Sequence, residues 1–399
     1  MTTYPATSAR SPLLSRALVL RFVSIIGSSV GFFLPLSVVP LLAQRSGSDA
    51  DAGFATVALL VTTVACELVT PRLVGRIGYR WALALGLGLL GGASLILAFT
   101  DRTWVIVAVS IVRGAGFAVA VVAGGAVTAT LIPADRRGEG LALVGVVSGV
   151  PGILGLPAGV WIATHWGFPP VFVATGAVTL LALLSVPGLP GRPAPTRERH
   201  GVLAGLRNPA LSRPAVVFAG STVAVGVLVT FLPLATGVAH AWVASAALLA
   251  QQTSSTVARW AAGRLGDRIG PARLLVPGLV LSVCGMAALV AIGSPAAVIG
   301  GALVFGVGFG VLQNASLALM YSRVPAGGEG TVSAIWNAAY DLGMAAGALC
   351  AGPVVGLAGY SVTFGLSAAI MLPALVIARR TRPAVGIREA RHAAIEAGA

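Results

Sequence analysis

The chain has 399 residues, of which 57% are hydrophobic and only 10% charged, where a soluble globular protein runs nearer half apolar and a quarter charged. A mean hydropathy of +0.94 excludes a soluble domain, a disordered chain and a collagen-like one. The net charge of +14 comes from 26 basic residues against 12 acidic ones, and every basic residue is an arginine. Such a balance would suggest nucleic-acid binding in a soluble protein; here the arginines sit between apolar runs, so a lipid bilayer and no nucleic acid is the expected partner.

A helix needs about 20 apolar residues to cross the hydrocarbon core, and twelve such runs follow one another. After a polar lead, the first begins without an A-x-A type cleavage site and reads as an uncleaved span. Spans 1 to 6 are expected near 19–42, 52–70, 82–99, 104–131, 140–163 and 169–187. Residues 188–213, rich in Pro, Gly and Arg (Arg192, Arg197, Arg199, Arg207, Arg213), read as a linker. Spans 7 to 12 follow near 215–236, 242–262, 274–292, 296–320, 331–355 and 359–378. The expected organisation is a six-helix bundle over 1–187, a cytoplasmic linker over 188–213, a second bundle over 214–378 and a basic cytoplasmic tail over 379–399. Arg379, Arg380 and Arg382 of that tail are expected at anionic headgroups. The fold class is therefore an all-α polytopic membrane protein.

With the N-terminus inside, the outward loops hold only Arg45 and Arg102, and Arg113 lies within a span; the other 23 arginines fall on the cytoplasmic side or at its boundary. That asymmetry places both termini in the cytoplasm. Trp81, Trp104, Trp166, Trp242 and Trp260 fall at or near span ends, as an interfacial aromatic belt requires.

An offset of 192 residues aligns the two halves without a gap. Arg72-Leu73 falls on Arg264-Leu265, and Arg76-Ile77-Gly78 on Arg268-Ile269-Gly270. Gly114, Gly116 and Phe117 fall on Gly306, Gly308 and Phe309, Pro133-Ala134 on Pro325-Ala326, Gly167 and Phe172 on Gly359 and Phe364, and Arg21 on Arg213. Six spans per repeat make the repeats parallel, an architecture used for alternating access around a midplane site.

After span 8 the chain reads GRLGDRIGPAR, from Gly263 to Arg273. This resembles the cytoplasmic loop motif of the major facilitator superfamily, Gly-x-x-x-Asp-Arg-x-Gly-Arg/Pro. Gly263 permits close helix approach, Asp267 and Arg268 can make charge-assisted bonds to neighbouring helix ends, and Gly270 supports a tight turn. Such contacts would latch one conformation and release in the other. The counterpart PRLVGRIGYR (Pro71 to Arg80) keeps Arg76 and Gly78 but has Pro71 and Gly75 where the motif has Gly and Asp. Arg113-Gly114-Ala115-Gly116-Phe117 in span 4 is similar to the arginine motif of the superfamily's proton-driven exporters, and Gly149 to Trp161 in span 5 resembles the Gly-Pro-rich motif of its drug:proton antiporter and sugar-efflux-like branches. The resemblance implies twelve helices in two pseudo-symmetric six-helix bundles, the major facilitator fold, with a cavity lined by spans 1, 4, 7 and 10.

Three ionisable residues lie within spans away from their boundaries: Glu67, Arg113 and Asp341. Such groups are costly in a bilayer and face a cavity or a partner. Asp341 lies roughly 15 Å from the inner end of span 11 and Arg113 roughly 14 Å below the outer end of span 4, both near the midplane. A carboxylate alternating between an apolar setting and a nearby arginine is a usable proton carrier, so Asp341 is the expected protonation site and Arg113 its charge partner or a substrate contact. Glu67, about one turn above the motif loop and aligned with Arg259, is expected to make a gating or structural pair with loop arginines, with proton coupling as its alternative role. Gln251, Gln252, Gln313, Asn314 and Asn337 interrupt apolar spans; Asn314 and Asn337 suit substrate contact as well as helix–helix bonding. The low aromatic content, 6%, disfavours a broad specificity for aromatic drugs.

No P-loop, HExxH or GxSxG pattern occurs, so neither an enzyme, a cofactor nor a metal site is expected. The three cysteines, Cys66, Cys284 and Cys350, build no disulfide or metal framework. The expected function is secondary transport by a monomer in a bacterial-type plasma membrane, with a small organic molecule exported against protons. Uptake or facilitated passage of a sugar or organic acid is the alternative on the same fold, and a membrane sensor a remote one.

Overall fold

The computed structural model describes residues 14–47, 49–132, 137–191, 202–324 and 329–381. The pairs Pro133-Ala134 and Pro325-Ala326, the linker residues Arg192, Arg197 and Arg199, and the tail from Arg382 onward lie outside them. Helices α1 (Arg16–Leu36) and α2 (Val38–Ser46) form span 1, and α3 (Asp49–Ile96) carries spans 2 and 3. Spans 4 to 6 are α4 (Thr103–Leu131), α5 (Arg137–Trp166) and α6 (Phe168–Leu181), the last extended by a 3₁₀ stretch to Gly188. A short α7 (Val202–Arg207) precedes α8 (Pro209–Thr236), α9 (Ala241–Ile269), α10 (Leu275–Ala288) and α11 (Pro295–Tyr321). Finally α12 (Glu329–Ile370) holds span 11 and most of span 12, which α13 (Leu372–Arg380) completes. Among the described residues there is no strand.

Among the described residues, nine helical stretches are long and apolar enough to cross a membrane. Two of these, Asp51–Ile96 with 46 residues and Thr331–Arg380 with 50, are each about twice the length one crossing needs. Each bends at a glycine in a left-handed conformation, Gly78 (φ 81°) and Gly359 (φ 81°). The twelfth crossing is α9, whose run of six polar residues from Gln251 to Thr256 lowers its hydropathy. The twelve apolar runs thus become twelve crossings.

The internal repeat is visible in the backbone. Of the five glycines with positive φ among the described residues, four form two pairs separated by 192 residues: Gly78 with Gly270, and Gly167 with Gly359. Side chains other than glycine's rarely adopt this conformation, so the same turn is specified twice. Packing repeats as well. A Cβ at Gly114 would collide with the Leu59 carbonyl, and one at Gly306 with the Gln251 carbonyl, again at an offset of 192. Close backbone approach through small residues is how helices associate where lipid removes the hydrophobic drive. Gly306→Val is expected to lower the stability of the purified protein by about 3 kcal/mol, at the upper end for overpacking. Gly300→Val, with nothing within 4 Å of its Cβ, should stay within about 0.5 kcal/mol; thermal unfolding in detergent distinguishes the two.

Three boundaries differ from the sequence expectation. The helix of span 8 continues through Gly263, Asp267 and Arg268 and stops only at Gly270 (φ 88°), because nothing earlier breaks it; the motif is a helix end more than a loop. Span 7 starts at Pro209, where the Asn208 side chain accepts from Ala210 N (2.9 Å) and proline occupies the first helical position. Residues 202–207 of the expected linker are helical.

The halves meet on one side of the molecule. Gln44 Nε2 donates to the Tyr360 hydroxyl (3.1 Å), the Thr56 and Thr230 hydroxyls are 3.3 Å apart, and Gly53 lies directly against the Ala348 carbonyl. Phe32, Leu36, Ala52, Leu59, Leu60, Leu156 and Val160 of the first half join the core of the second. All of these sit in the span portions remote from the helix ends Arg16 and Arg380. On the opposite side, which carries those ends, Val146, Val150, Val257 and Leu265 of spans 5 and 8 are exposed.

Candidate functional site: charged residues at the seam between the bundles

Span 11 packs along span 2, and span 8 along span 5, so these four helices form the seam. Asp341 lies on it. Its side chain is 8% exposed and makes no hydrogen bond or ion pair among the described residues. Counted along α12 it stands 12 residues, roughly 18 Å, from the helix start. The group that bears on it electrostatically from the other bundle is Glu67 of span 2, a second carboxyl. On the near side the adjacent Tyr340 lies within range of both Asp341 and Arg259 of span 8. Arg259 is itself exposed. Glu67 and Asp341 are thus carboxyls on opposite sides of the seam, near enough to repel each other.

Arg113 is elsewhere. The contact of Gly114 with Leu59, reinforced by the Thr63 hydroxyl donating to Gly114 O (3.3 Å), presses span 4 onto span 2. The Arg113 side chain is thereby directed into the first bundle, fully buried, with Nη2 donating to Gly31 O at 3.1 Å. Its Nε and Nη1 have no partner among the described residues. A buried guanidinium with two unmet donors carries the full desolvation cost of those groups, so this site holds a demand for an acceptor. The next turn presents Phe117, stacked on Phe32 with centroids 4.0 Å apart. Arg113 and Asp341 form no ion pair here.

The aromatic rings, few along the chain, are concentrated in the second bundle. Phe218 stacks on Trp336 at 4.6 Å and 12°, Phe305 on Phe309 at 5.9 Å and 13°, and Tyr340 lies 6.0 Å from Trp336. Trp336 Nε1 donates to Ser316 Oγ at 3.0 Å, fixing the slab beside Asp341. Spacings of four residues, Phe305 to Phe309 and Trp336 to Tyr340, put each pair on one helix face, the signal by which the cluster could have been found. The sequence marks Arg259 only as the repeat partner of Glu67.

Asn314 of span 10 packs against Gly263, whose Cβ position is 3.3 Å from the amide nitrogen, so it belongs with the motif helix end. Asn337, half-buried, lies one turn before Asp341. Asp267, Arg268 and Arg76 are exposed and make no ion pair among the described residues. Gly78 abuts Gly191, and Tyr79 N donates to Gly191 O (3.1 Å), so the first-half motif is tied to the start of the linker. No group of three or more potential metal ligands occurs among the described residues.

The sequence model of the Major Facilitator Superfamily matches residues 21–348 and 241–397. A stretch of 176 residues is 30% identical to the multidrug resistance protein MdtG of Klebsiella pneumoniae, covering 40% of this chain and 42% of that protein. A stretch of the same length is 29% identical to an uncharacterised MFS-type transporter of Mycobacterium tuberculosis, covering 41% of this chain and 30% of that one. The matches thus span less than half of either curated relative. In three dimensions the chain is similar to a single-substitution mutant of the nucleoside transporter NupG (TM-score 0.73, 15% identity, 92% of this chain and 100% of that one). It is similar to nearly the same degree to a bacterial homologue of the human lysosomal transporter Spinster in an inward-facing, occupied conformation (TM-score 0.72, 13% identity, 95% and 98%). At such identities the likeness is one of fold.

Proposed function

The chain belongs to the major facilitator superfamily, whose members are membrane transporters, and on that premise we propose that it exports a small organic molecule in exchange for protons. The observation that carries this reading is Asp341, a buried carboxyl at the seam with no bonded partner among the described residues and a second carboxyl, Glu67, near enough to repel it. A group so placed changes surroundings whenever the bundles rock, which is what a carrier of protons requires. Trp336 and Tyr340, partly exposed and backed by the buried rings of Phe218 and Phe309, offer apolar surface to an organic substrate, and Arg113 offers two donors to an acceptor group. Resemblance to a multidrug resistance protein over 176 residues supports export.

In this reading the protein is monomeric in a bacterial-type inner membrane, with both termini cytoplasmic, and the exposed Arg259 marks the cytoplasmic entrance. Asp267 and Arg268 stand free because the latch engages only when that entrance closes; Gly263 and Asn314 let the helices slide into register. The test uses inside-out vesicles with an imposed proton gradient and a pH-sensitive dye. Dequenching on addition of a compound from a chemically varied panel is expected. Passage of labelled compound without proton movement would instead mean facilitated transport.

A further inference from the structure

One hydroxyl ties the turn of span 11 that carries Asp341 to span 7. Thr222 of α8 is fully buried. Its Oγ1 lies 3.0 Å from Ala339 O of α12 and 2.9 Å from Ala219 O in the preceding turn of its own helix. A helical threonine ordinarily gives its proton to that preceding turn; this one shares it with a carbonyl of the neighbouring helix. Ala339 stands two residues before Asp341, and Gly343 two after. A Cβ on Gly343 would collide with the Thr222 hydroxyl, so the glycine is what admits the bond. One turn further along each helix, Gly226 meets the Met344 carbonyl and Gly347 the Val223 carbonyl. Bond and close contact together set the rotation and depth of this turn. At about 3.6 residues per turn, Asp341 stands nearly opposite Ala339 and Gly343 on the helix, on the face turned away from span 7.

The internal repeat shows that packing alone does not demand this hydroxyl. At the offset of 192, Thr222 falls on Val30, Gly343 on Pro151 and Asp341 on Gly149. Spans 1 and 5 still approach closely, Gly155 against Phe33 and Gly159 against the Leu34 carbonyl, although Val30 has no proton to give. The hydroxyl and the carboxyl occur in the same half. The groups that bear electrostatically on Asp341 lie elsewhere, Glu67 on span 2 and the adjacent Tyr340. The span 7 residues at the contact, Ala219, Thr222, Val223 and Gly226, are uncharged, so their influence on Asp341 is one of position.

We propose that Thr222 is a positioning residue for Asp341: its bond to Ala339 O holds the carboxyl at the seam, at the depth where it exchanges its proton. The inference rests on the reading of Asp341 as the proton site. The hydroxyl has a second acceptor in Ala219 O, so the bond to Ala339 can be released without leaving a buried donor unpaired. Such a tie fixes a turn and yet opens at little cost, which suits a turn whose setting changes during a transport cycle.

The test is the rate at which dicyclohexylcarbodiimide modifies Asp341 in the full-length protein, read by peptide mass spectrometry with Glu67 as the internal standard; it needs no substrate. Thr222→Val keeps the shape and removes the hydroxyl. The freed turn should expose Asp341 more often, raising its labelling relative to Glu67 about five-fold, the equilibrium factor of one net hydrogen bond. Thr222→Ser keeps the hydroxyl and should label like wild type. Thr179→Val breaks a bond of the same kind in the first bundle, Thr179 Oγ1 to Gly27 O (3.1 Å), and should leave Asp341 labelling unchanged. With a compound that dequenches wild-type vesicles, the ratio of dequenching to labelled-substrate exchange should fall about five-fold in Thr222→Val. Loss of folded protein would lower both and leave the ratio intact. Labelling in Thr222→Val equal to wild type, an equal rise in Thr179→Val, or no return in Thr222→Ser would each overturn the inference. So would an unchanged ratio in Thr222→Val where Asp341→Asn is uncoupled. Raised labelling in Thr222→Val, beside an Asp341→Asn protein that still dequenches, would instead overturn the proton reading, with Thr222 still setting the position of the carboxyl.

Discussion

Asp341→Asn is expected to abolish substrate-driven proton movement in inside-out vesicles while leaving the protein folded and able to bind substrate. The side chain is isosteric and donates or accepts no hydrogen bond among the described residues, so its replacement by an amide removes no structural bond. What it removes is the proton site. Dequenching should fall below about one hundredth of wild type, the lower end of what loss of a positioned proton carrier costs a transfer step. Exchange of labelled for unlabelled substrate under equal concentrations needs no net proton transfer, so it should persist. Asp341→Glu keeps the carboxyl and should retain part of the coupling. Dequenching at wild-type level in Asp341→Asn would move the proton to Glu67, the carboxyl on the other side of the seam. Loss of exchange together with dequenching would make Asp341 a substrate contact instead.

The second large effect concerns the closed side of the seam. Gly53 lies against the Ala348 carbonyl, with Phe231 beyond, and this approach exists only while the bundles are shut on the side remote from the chain ends. Gly53→Leu should act as a wedge. Overpacking of this kind costs about 1–3 kcal/mol, and because Gly53 packs between bundles, the cost falls on the closed arrangement and not on either bundle's fold. The population should shift by on the order of ten-fold toward opening on that side. A reporter cysteine at Thr56, buried at the same interface beside Thr230, in a background without Cys66, Cys284 and Cys350, would read the shift. An impermeant maleimide should label it about ten-fold faster in Gly53→Leu, with transport nearly stopped. Unchanged labelling would show that another contact, such as Gln44 with Tyr360, holds that side closed.

Gly306→Val offers the contrast. The same kind of collision inside one bundle, between α9 and α11, should reduce stability directly and reduce transport only through loss of folded protein. Close packing by glycine thus does two jobs in this chain, one within each bundle and one between them, and the place of the collision decides which job fails.

Twelve crossings, the 192-residue repeat and the superfamily motif were legible in the amino-acid order, because each is a local or strictly periodic property. An apolar run near 20 residues needs no partner to be recognised, and Gly78 and Gly270 repeat in sequence before they repeat as positive-φ turns. The isolated Asp341 and Arg113 stood out for the same reason, as charges inside apolar runs. Their partners did not. Arg113 turns to Gly31 and Asp341 comes near Glu67 because spans 4 and 1, and spans 11 and 2, pack together. The aromatic slab likewise joins residues from three helices. Which side of the seam is closed is decided by contacts such as Gly53 with Ala348, far apart along the chain. Hydropathy along a chain fixes which segments enter the bilayer; which of their polar groups meet depends on helix rotation and packing, set by close contacts between distant segments that no single segment encodes.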